Sequence, residues 1–209
     1  MADDFYISDG LNARDMALRA GQYRRQFDVG LSDKVDILEL IEFKLADAFP
    51  GFHLVIVQDH EIEAYANTSF SPPCIIVRQS VYNAASEGSH FERMILAHEL
   101  GHFLLHSEHK NRLPAAAPSD ITYTENIKSL NGLESAEAQA NLFAKLFLVP
   151  PFLAFKYRSD PLLLSKIAGV PSSDAIASIK ISKRQEMYGL TNPITALPSP
   201  LVGEGVALD

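Results

Sequence analysis

The sequence predicts an α+β fold that is mainly helical and contains one small sheet. Apolar residues recur at helical spacing over most of the chain, whereas short β-like runs are confined to residues 54–78. The chain has 209 residues, of which 47% are hydrophobic and 21% charged, which is sufficient for one sizeable core. We therefore expect a single domain over residues 1–190, with N-terminal helices (1–50), a central core (51–150) and C-terminal helices (151–190).

Two helices and a sheet are predicted in the first part of the chain. Residues 11–28 and 32–49 place apolar side chains three or four positions apart, and Pro50-Gly51 ends the second helix. We expect the β-like segments that follow to form a small antiparallel sheet of three strands. These segments are Leu54–Gln58, Glu61–Asn67 and Cys74–Arg78. The last of them is either a sheet edge that an extended peptide can pair with or an ordinary interior strand.

Helical patterns return in the second half of the chain, at about residues 91–106, 134–148 and 152–188. Residues 107–132 are polar and rich in Pro, Asn and Ser, which is typical of a long functional loop. From residue 191 the chain has three prolines and no periodicity, which predicts a mobile tail over residues 191–209.

The composition restricts the class of protein. A net charge of -8 disfavours direct binding to nucleic acid, which usually requires a basic surface. The single cysteine, Cys74, excludes an internal disulfide and fits a reducing compartment. The acidic N-terminus lacks the apolar segment of a signal peptide, and no apolar run approaches the roughly 20 residues that span a bilayer. We expect a cytoplasmic protein that does not bind membranes.

Residues 95–106 read ILAHELGHFLLH and contain the pattern H-E-x-x-H. His98 and His102 are four residues apart, so they lie on one helical face, roughly 6 Å apart along the axis, and can bind one zinc ion. Glu99 projects next to that face, where a carboxylate can act as general base toward water activated by the metal.

The surroundings of this pattern indicate a buried helix. Apolar residues flank the motif on nearly every side, which an accidental surface match would not show. The alternative is that the histidines are core residues satisfied by hydrogen bonds. Gly101 costs about 1 kcal/mol in a helix interior, so its presence indicates that another backbone or the metal site packs closely against it.

A catalytic zinc site requires a third protein ligand from another part of the chain. His106 lies roughly 12 Å along the axis from His98, so one straight helix cannot supply three histidines to one ion. The best candidate is Glu137, near the start of the helix predicted at 134–148, and Glu134 is a competitor. Spacing alone does not distinguish a metal ligand at position 137 from a carboxylate that is merely favoured near a helix N-terminus.

Several other residues are candidates for supporting roles. Asn141 is one turn after the proposed carboxylate ligand and can accept a hydrogen bond from a metal-bound imidazole, or it faces solvent. His106 is a second such supporting residue or a core residue. Donors to a transition-state oxyanion can come from Tyr123, His109 or His106. Cys74 together with H-E-x-x-H would be the ligand set of deformylase-like amidases, but the glycine-rich context of that cysteine is missing.

The sequence H-E-L-G-H, followed by E-A-Q-A-N-L-F-A at residues 137–144, resembles the ImmA/IrrE family of zinc metallo-endopeptidases. The resemblance extends from about Cys74 to Pro150. It implies a zincin-like, gluzincin-type domain whose sheet packs on the H-E-x-x-H helix. It also implies the following roles: one zinc ion bound by His98, His102 and Glu137, with Glu99 as the catalytic base. Mn, Fe or Co are alternative metals for such ligands.

The resemblance further implies a cytoplasmic peptidase that acts in a stress, phage or mobile-element response. Relatives cleave or inactivate helix-turn-helix repressors, and residues 11–49 leave no room for such a domain here. The expected substrate is therefore a separate repressor or similar regulator. The alternative is a catalytically silent metal-binding protein that sequesters a regulator, although the intact Glu99 favours an enzyme.

Overall fold

In a computed structural model, the described residues are 10–107, 134–184, 187 and 189–192. The described helical segments are α1 (Ala13–Gln26), α2 (Ile37–Glu39), a π-helical stretch (Leu40–Lys44), α3 (Leu45–Ala48), α4 (Gln79–Ser86), α5 (His90–His106), α6 (Ala136–Leu148), α7 (Pro151–Lys156), α8 (Pro161–Ala168) and α9 (Ser172–Ser182). The strands are β1 (His53–Val57), β2 (Ala66–Phe70) and β3 (Pro73–Arg78). The prediction of a mainly helical α+β domain with one small sheet is confirmed.

The helix boundaries follow from local capping. The Asn12 side chain accepts hydrogen bonds from the first-turn amides of α1, which therefore begins at Ala13. The second predicted helix begins at Ile37 and not at residue 32, because the Asp36 carboxylate caps it. The sequence reading missed α4, which has only eight residues and lies directly between β3 and α5.

The sheet is mixed, so the prediction of an all-antiparallel sheet is wrong for one strand pair. The strand order is β1-β3-β2, with β1 parallel and β2 antiparallel to β3. The adjacent residues Cys74 and Ile75 on β3 are 5% and 0% exposed, so both faces of this strand are covered. This burial accounts for its central position. Cys74–Arg78 is thus an interior strand, and the edge alternative is wrong.

The second strand lies further along the chain than predicted. It covers Ala66–Phe70, whereas the sequence indicated residues 61–67. The carbonyl groups of Ile62 and Glu63 accept hydrogen bonds from the Arg78 guanidinium, at 2.9 and 2.6 Å. The Arg78 side chain therefore satisfies the carbonyl groups of Ile62 and Glu63. The alternation of apolar residues had predicted that a neighbouring strand would do so.

Helices α5 and α6 approach each other closely at a glycine. A Cβ atom added to Gly101 would lie 3.2 Å from both the Cα and the carbonyl oxygen of Ala140, and 3.0 Å from a ring carbon of Phe143. Of the two predicted neighbours of Gly101, another backbone or the metal site, the structure shows the backbone of α6. This contact brings the start of α6 beside the histidines of α5.

One hydrophobic core connects the helical layers and the sheet. It includes Met16 of α1, Ile75 of β3, Leu96 of α5, Phe143 of α6 and Ile179 of α9. Among the described residues, no single helix is long and apolar enough to cross a membrane. Helices α8 and α9 are long and apolar enough to cross a membrane only when they are taken together, and the chain bends by 108° between them.

Candidate metal centre

A cleft of about 550 Å³ lies beside α5, with β2 and α6 contributing to its walls. The residues that line it nearest the H-E-x-x-H motif are Thr68, His98, Glu99, His102, Glu137 and Asn141. Residues 98–102 and 137–141 are far apart in the chain, and the close packing of α5 on α6 brings them together. The candidate metal ligands and the candidate base therefore line the same cleft, and a molecule bound there can contact all of them.

Three of the predicted residues converge on one point. The Nε2 atoms of His98 and His102 are 3.0 Å apart. The carboxylate oxygens of Glu137 lie 3.3 Å from Nε2 of His98 and 3.1 Å from Nε2 of His102. Within the described part of the chain, these three residues are the one group of His, Cys, Asp or Glu side chains found close enough together to hold a metal ion.

The separations of these atoms fit a tetrahedral metal site. Zinc–ligand bonds of about 2.0–2.1 Å in tetrahedral geometry place neighbouring ligand atoms roughly 3.3 Å apart. The three observed separations, 3.0, 3.1 and 3.3 Å, are close to that value. Two imidazole lone pairs and a carboxylate this close together require a proton or a cation among them. The arrangement is therefore a candidate metal site.

The pKa values of the cluster reflect the same convergence. Burial lowers the pKa of His98, but hydrogen bonding to Glu137 and the charges of Glu99 and Glu137 raise it overall above its usual value. Burial acts to raise the pKa of Glu137, but hydrogen bonds and charge interactions with His102 and His98 hold it well below its usual range. Glu137 is thus anionic at neutral pH, as a metal ligand must be.

Glu99 is held beside the cluster by a residue that the sequence reading missed. The Glu99 side chain is 8% exposed, and its Oε2 accepts a hydrogen bond of 2.7 Å from the Thr68 hydroxyl. The same hydroxyl lies 3.0 Å from the Glu99 carbonyl oxygen. A threonine in a strand is ordinary in sequence, so only the packing of β2 on α5 reveals this contact.

Behind His102 lies a buried chain of hydrogen bonds. Nδ1 of His102 is 3.2 Å from Nδ1 of His106, and Nε2 of His106 is 3.2 Å from Oε1 of Gln139. His106 and Gln139 are each 2% exposed. His106 is therefore brought to the ring nitrogen of His102 that faces away from the candidate metal site. The sequence reading named His106 but not Gln139.

Asn141 lies next to His98 in the same cleft. Its side chain forms a hydrogen bond that contributes to the raised pKa of His98. Its Nδ2 also donates to the Glu137 carbonyl oxygen at 2.8 Å. Asn141 is exposed to solvent, and its amide oxygen is the group that can accept from a ring N–H of His98.

Two other candidate ligands, Cys74 and Glu134, lie outside this cluster. Cys74 is buried on β3 and Glu134 lies in a turn before α6, and neither belongs to the group of three. Tyr123 and His109, predicted as oxyanion donors, lie outside the described residues, as does most of the predicted tail from residue 193 onward.

The domain is mainly helical α+β, and two imidazoles, a carboxylate and an adjacent buried Glu line one cleft. This combination makes the protein a candidate metal-dependent hydrolase. Residues 57–161 match the peptidase M78 family, described as the IrrE N-terminal-like domain. This match covers half of the chain, so the protein belongs to that family, which confirms the resemblance to ImmA/IrrE proteins and indicates a metallopeptidase. A comparison with curated proteins found no match.

Proposed function

We propose that this protein is a zinc endopeptidase of the H-E-x-x-H…E type that hydrolyses a peptide bond in a protein substrate. His98, His102 and Glu137 hold the zinc ion, and Glu99 is the catalytic base. The observation that carries the proposal is the convergence of the three ligand atoms at 3.0–3.3 Å beside a buried, hydrogen-bonded Glu99. Membership in a peptidase family supports the reaction class.

A zinc ion held by His98, His102 and Glu137 would act as a Lewis acid toward water and toward the peptide carbonyl. The Glu99 carboxylate accepts a proton from the water whose oxygen adds to the carbonyl carbon, and it returns the proton to the amine nitrogen when the C–N bond breaks. The hydrogen bond from Thr68 holds the carboxylate in one orientation during both transfers.

His106, Gln139 and Asn141 support the ligands in this proposal. If Gln139 accepts from Nε2–H of His106, then Nδ1 of His106 accepts from Nδ1–H of His102, and Nε2 of His102 keeps its lone pair for the metal. Asn141 plays the corresponding part for His98. Each ligand ring is thereby kept in the tautomer that can bind a cation.

The proposed substrate is a separate helix-turn-helix repressor or similar regulator, cleaved in the cytoplasm during a stress, phage or mobile-element response. The resemblance to the ImmA/IrrE family supports this part of the proposal, and the buried free thiol of Cys74 is compatible with a reducing compartment. Strand β2 forms one edge of the sheet, and Ala66, Asn67 and Thr68 line the cleft. An extended substrate segment can pair with this edge.

The metal content of the purified chain tests the ligand assignment. We expect about one zinc ion per wild-type chain by elemental analysis, and a content reduced by about tenfold or more in Glu137→Ala, because two ligands bind far more weakly than three. Glu134→Ala is the matched control, since it removes a carboxylate three residues away, and it should retain the metal. Equal metal content in both variants would contradict the assignment.

The variant Glu99→Gln tests the catalytic step. It keeps the size and hydrogen-bonding capacity of the side chain but removes the proton acceptor, so zinc content should be unchanged while cleavage of a repressor or of a peptide library stops. A cellular effect that persists in Glu99→Gln would support the alternative of a silent protein that sequesters a regulator.

A further inference from the structure

Two exposed aromatic rings form a pair at the rim of the cleft. Tyr65 directly precedes β2, and Phe91 lies in the first turn of α5, with ring centroids 6.1 Å apart and planes at 89°. They are 56% and 54% exposed, and both line the cleft. Large apolar side chains that remain exposed side by side at a cleft typically mark an interaction surface.

The Tyr65 side of this pair is held firmly in place. The Tyr65 carbonyl oxygen accepts from the Arg78 amide at 3.1 Å. The Arg78 guanidinium lies 5.4 Å from the centroid of the Tyr65 ring and donates to the carbonyls of Ile62 and Glu63. A surface that is ordered before a ligand arrives loses less conformational entropy on binding.

The aromatic pair is continuous with the candidate metal centre along both walls of the cleft. On α5, Phe91 and Ile95 lie on the face that carries His98, and Phe91 is roughly 10 Å from His98 along the helix axis. On the other wall, Tyr65 precedes Thr68 by three residues, which is again roughly 10 Å along a strand. Ile95 lines the cleft between the two sites. Along each wall, the pair therefore lies roughly 10 Å from a residue that lines the candidate metal centre, His98 on α5 and Thr68 on β2.

We propose that Tyr65 and Phe91 form a specificity subsite for a bulky apolar side chain of an extended peptide substrate. Because an extended chain advances about 3.3 Å per residue, a separation of roughly 10 Å places this side chain about three residues from the bond that is cleaved. The position of that bond rests on the proposed function. The apolar subsite itself does not require catalysis.

Short peptides that carry a metal-chelating hydroxamate at one terminus test both parts separately. In one series the hydroxamate is C-terminal and in the other N-terminal, and the second, third or fourth residue from it is either Phe or Ser. Each peptide is also made as the carboxamide, which lacks the chelating group. Binding to the zinc-loaded full chain is measured by calorimetry. The difference between hydroxamate and carboxamide reports the metal, and the difference between Phe and Ser reports the subsite.

We expect Phe at about the third residue of one series to bind at least tenfold more tightly than Ser. The double variant Tyr65→Ala, Phe91→Ala should reduce this discrimination to within about twofold. Phe43→Ala is the matched control, because Phe43 is 62% exposed and does not line the cleft, and it should retain the discrimination. Thermal unfolding of each variant checks that the fold is preserved.

Two outcomes would overturn the proposal. One is equal affinity for Phe and Ser at every tested residue. The other is discrimination that survives in the double variant; if that variant also forms smaller oligomers than the wild type, the aromatic pair joins copies of the chain. A Phe preference without any advantage of the hydroxamate would keep the subsite and contradict the metal site of the proposed function.

Discussion

At the scale of residues, the orientation of the Glu99 carboxylate depends on a single hydrogen bond. Its place beside the ligand cluster is set by its own helix, but its orientation is set by the Thr68 hydroxyl on β2, 2.7 Å away. A carboxylate without this partner has several accessible rotamers, and only some of them direct an oxygen at the reacting water.

We predict that Thr68→Val lowers kcat about 10- to 100-fold, because valine has a similar shape but cannot donate the hydrogen bond. Metal content should not change, since the hydrogen bonds of the Thr68 hydroxyl go to Glu99 and not to the three proposed ligand residues. Steady-state kinetics on a cleaved peptide measure the effect, and Thr68→Ser should restore most of the rate. A Thr68→Val enzyme with wild-type kcat would show that Glu99 needs no such support.

The ion pair between His98 and Glu137 makes the stability of the metal-free protein depend on pH. The pKa of His98 is raised above 6.5, so its contribution is fully present below that pH and is lost as pH rises through the raised pKa. The pKa of Glu137 is lowered from 4.5, so its contribution is present above that pH and is lost as pH falls.

We therefore predict that this pair stabilises the chelator-treated protein most between about pH 4.5 and 6.5. Denaturant unfolding at pH 5.5 and 8 measures the difference in free energy of unfolding. Glu137→Gln should reduce the loss of stability between these two pH values, because the neutral amide no longer favours the protonated imidazole. An identical pH profile in that variant would rule out the pair as its cause.

The chain of hydrogen bonds from Gln139 through His106 to His102 supports a separate prediction. Gln139→Met removes the acceptor at nearly constant volume, so zinc affinity should fall about 10- to 100-fold as His102 loses its preferred tautomer. Gln139→Glu keeps an acceptor oxygen and should retain the affinity. Competition with a chelator measures both, and a Met variant that binds zinc as tightly as wild type would contradict the relay.

At the scale of elements, the distance between α5 and α6 determines whether Glu137 reaches the two imidazoles. The closest approach is at Gly101, where any Cβ atom would press on the Ala140 backbone. Backbone atoms cannot move aside as a flexible side chain can, so an added methyl group must displace the whole of α6 by a few tenths of an ångström.

We predict that Gly101→Ala weakens zinc binding by about tenfold or more, because the displaced helix carries Glu137 away from its partners. The matched control is Gly21→Ala on α1, where an added Cβ meets nothing within 4 Å. That control should keep zinc affinity and increase the free energy of unfolding by about 0.5–1 kcal/mol through helix propensity. Similar zinc affinity in Gly101→Ala and wild type would show that α6 adjusts without moving the ligand.

At the scale of the whole molecule, buried arginines join segments that lie far apart in the sequence. Arg24 of α1 is fully buried and donates to the carbonyl oxygens of Phe147, Gly30 and Asp33. Burial lowers its pKa to about 10, opposed by the charge of Asp33, so it is still a cation at neutral pH. Arg93 of α5 similarly donates to the carbonyls of Val35 and Gly169.

We predict that Arg24→Met lowers the free energy of unfolding by about 2–4 kcal/mol, because three carbonyl oxygens lose their donor. Arg19→Met on the exposed side of the same helix is the control and should change stability by less than about 0.5 kcal/mol. Denaturant unfolding with metal bound measures both variants. Equal stability of the two would mean that water replaces the guanidinium at these carbonyls.

The sequence alone determined the fold class and the helix that carries His98, Glu99 and His102. Both follow from local rules, since helical periodicity and the spacing of four residues are properties of a single element. Glu137 was the best candidate for a third ligand, but spacing left that role undecided and only the family resemblance favoured it. The close approach at Gly101 was also foreseen, because a glycine destabilises a helix interior and is favoured there mainly where a neighbouring backbone leaves no space for a Cβ atom.

Only the tertiary structure decided the parallel pairing of β1 with β3, the start of β2 at Ala66, and the contacts made by Thr68 and Gln139. Each of these depends on groups distant in the chain, such as an arginine side chain that replaces a strand partner as the donor to two carbonyls. Threonine and glutamine occur in every kind of environment, so the sequence could not single out Thr68 and Gln139. Only the packing places them beside the Glu99 carboxylate and the buried His106 imidazole.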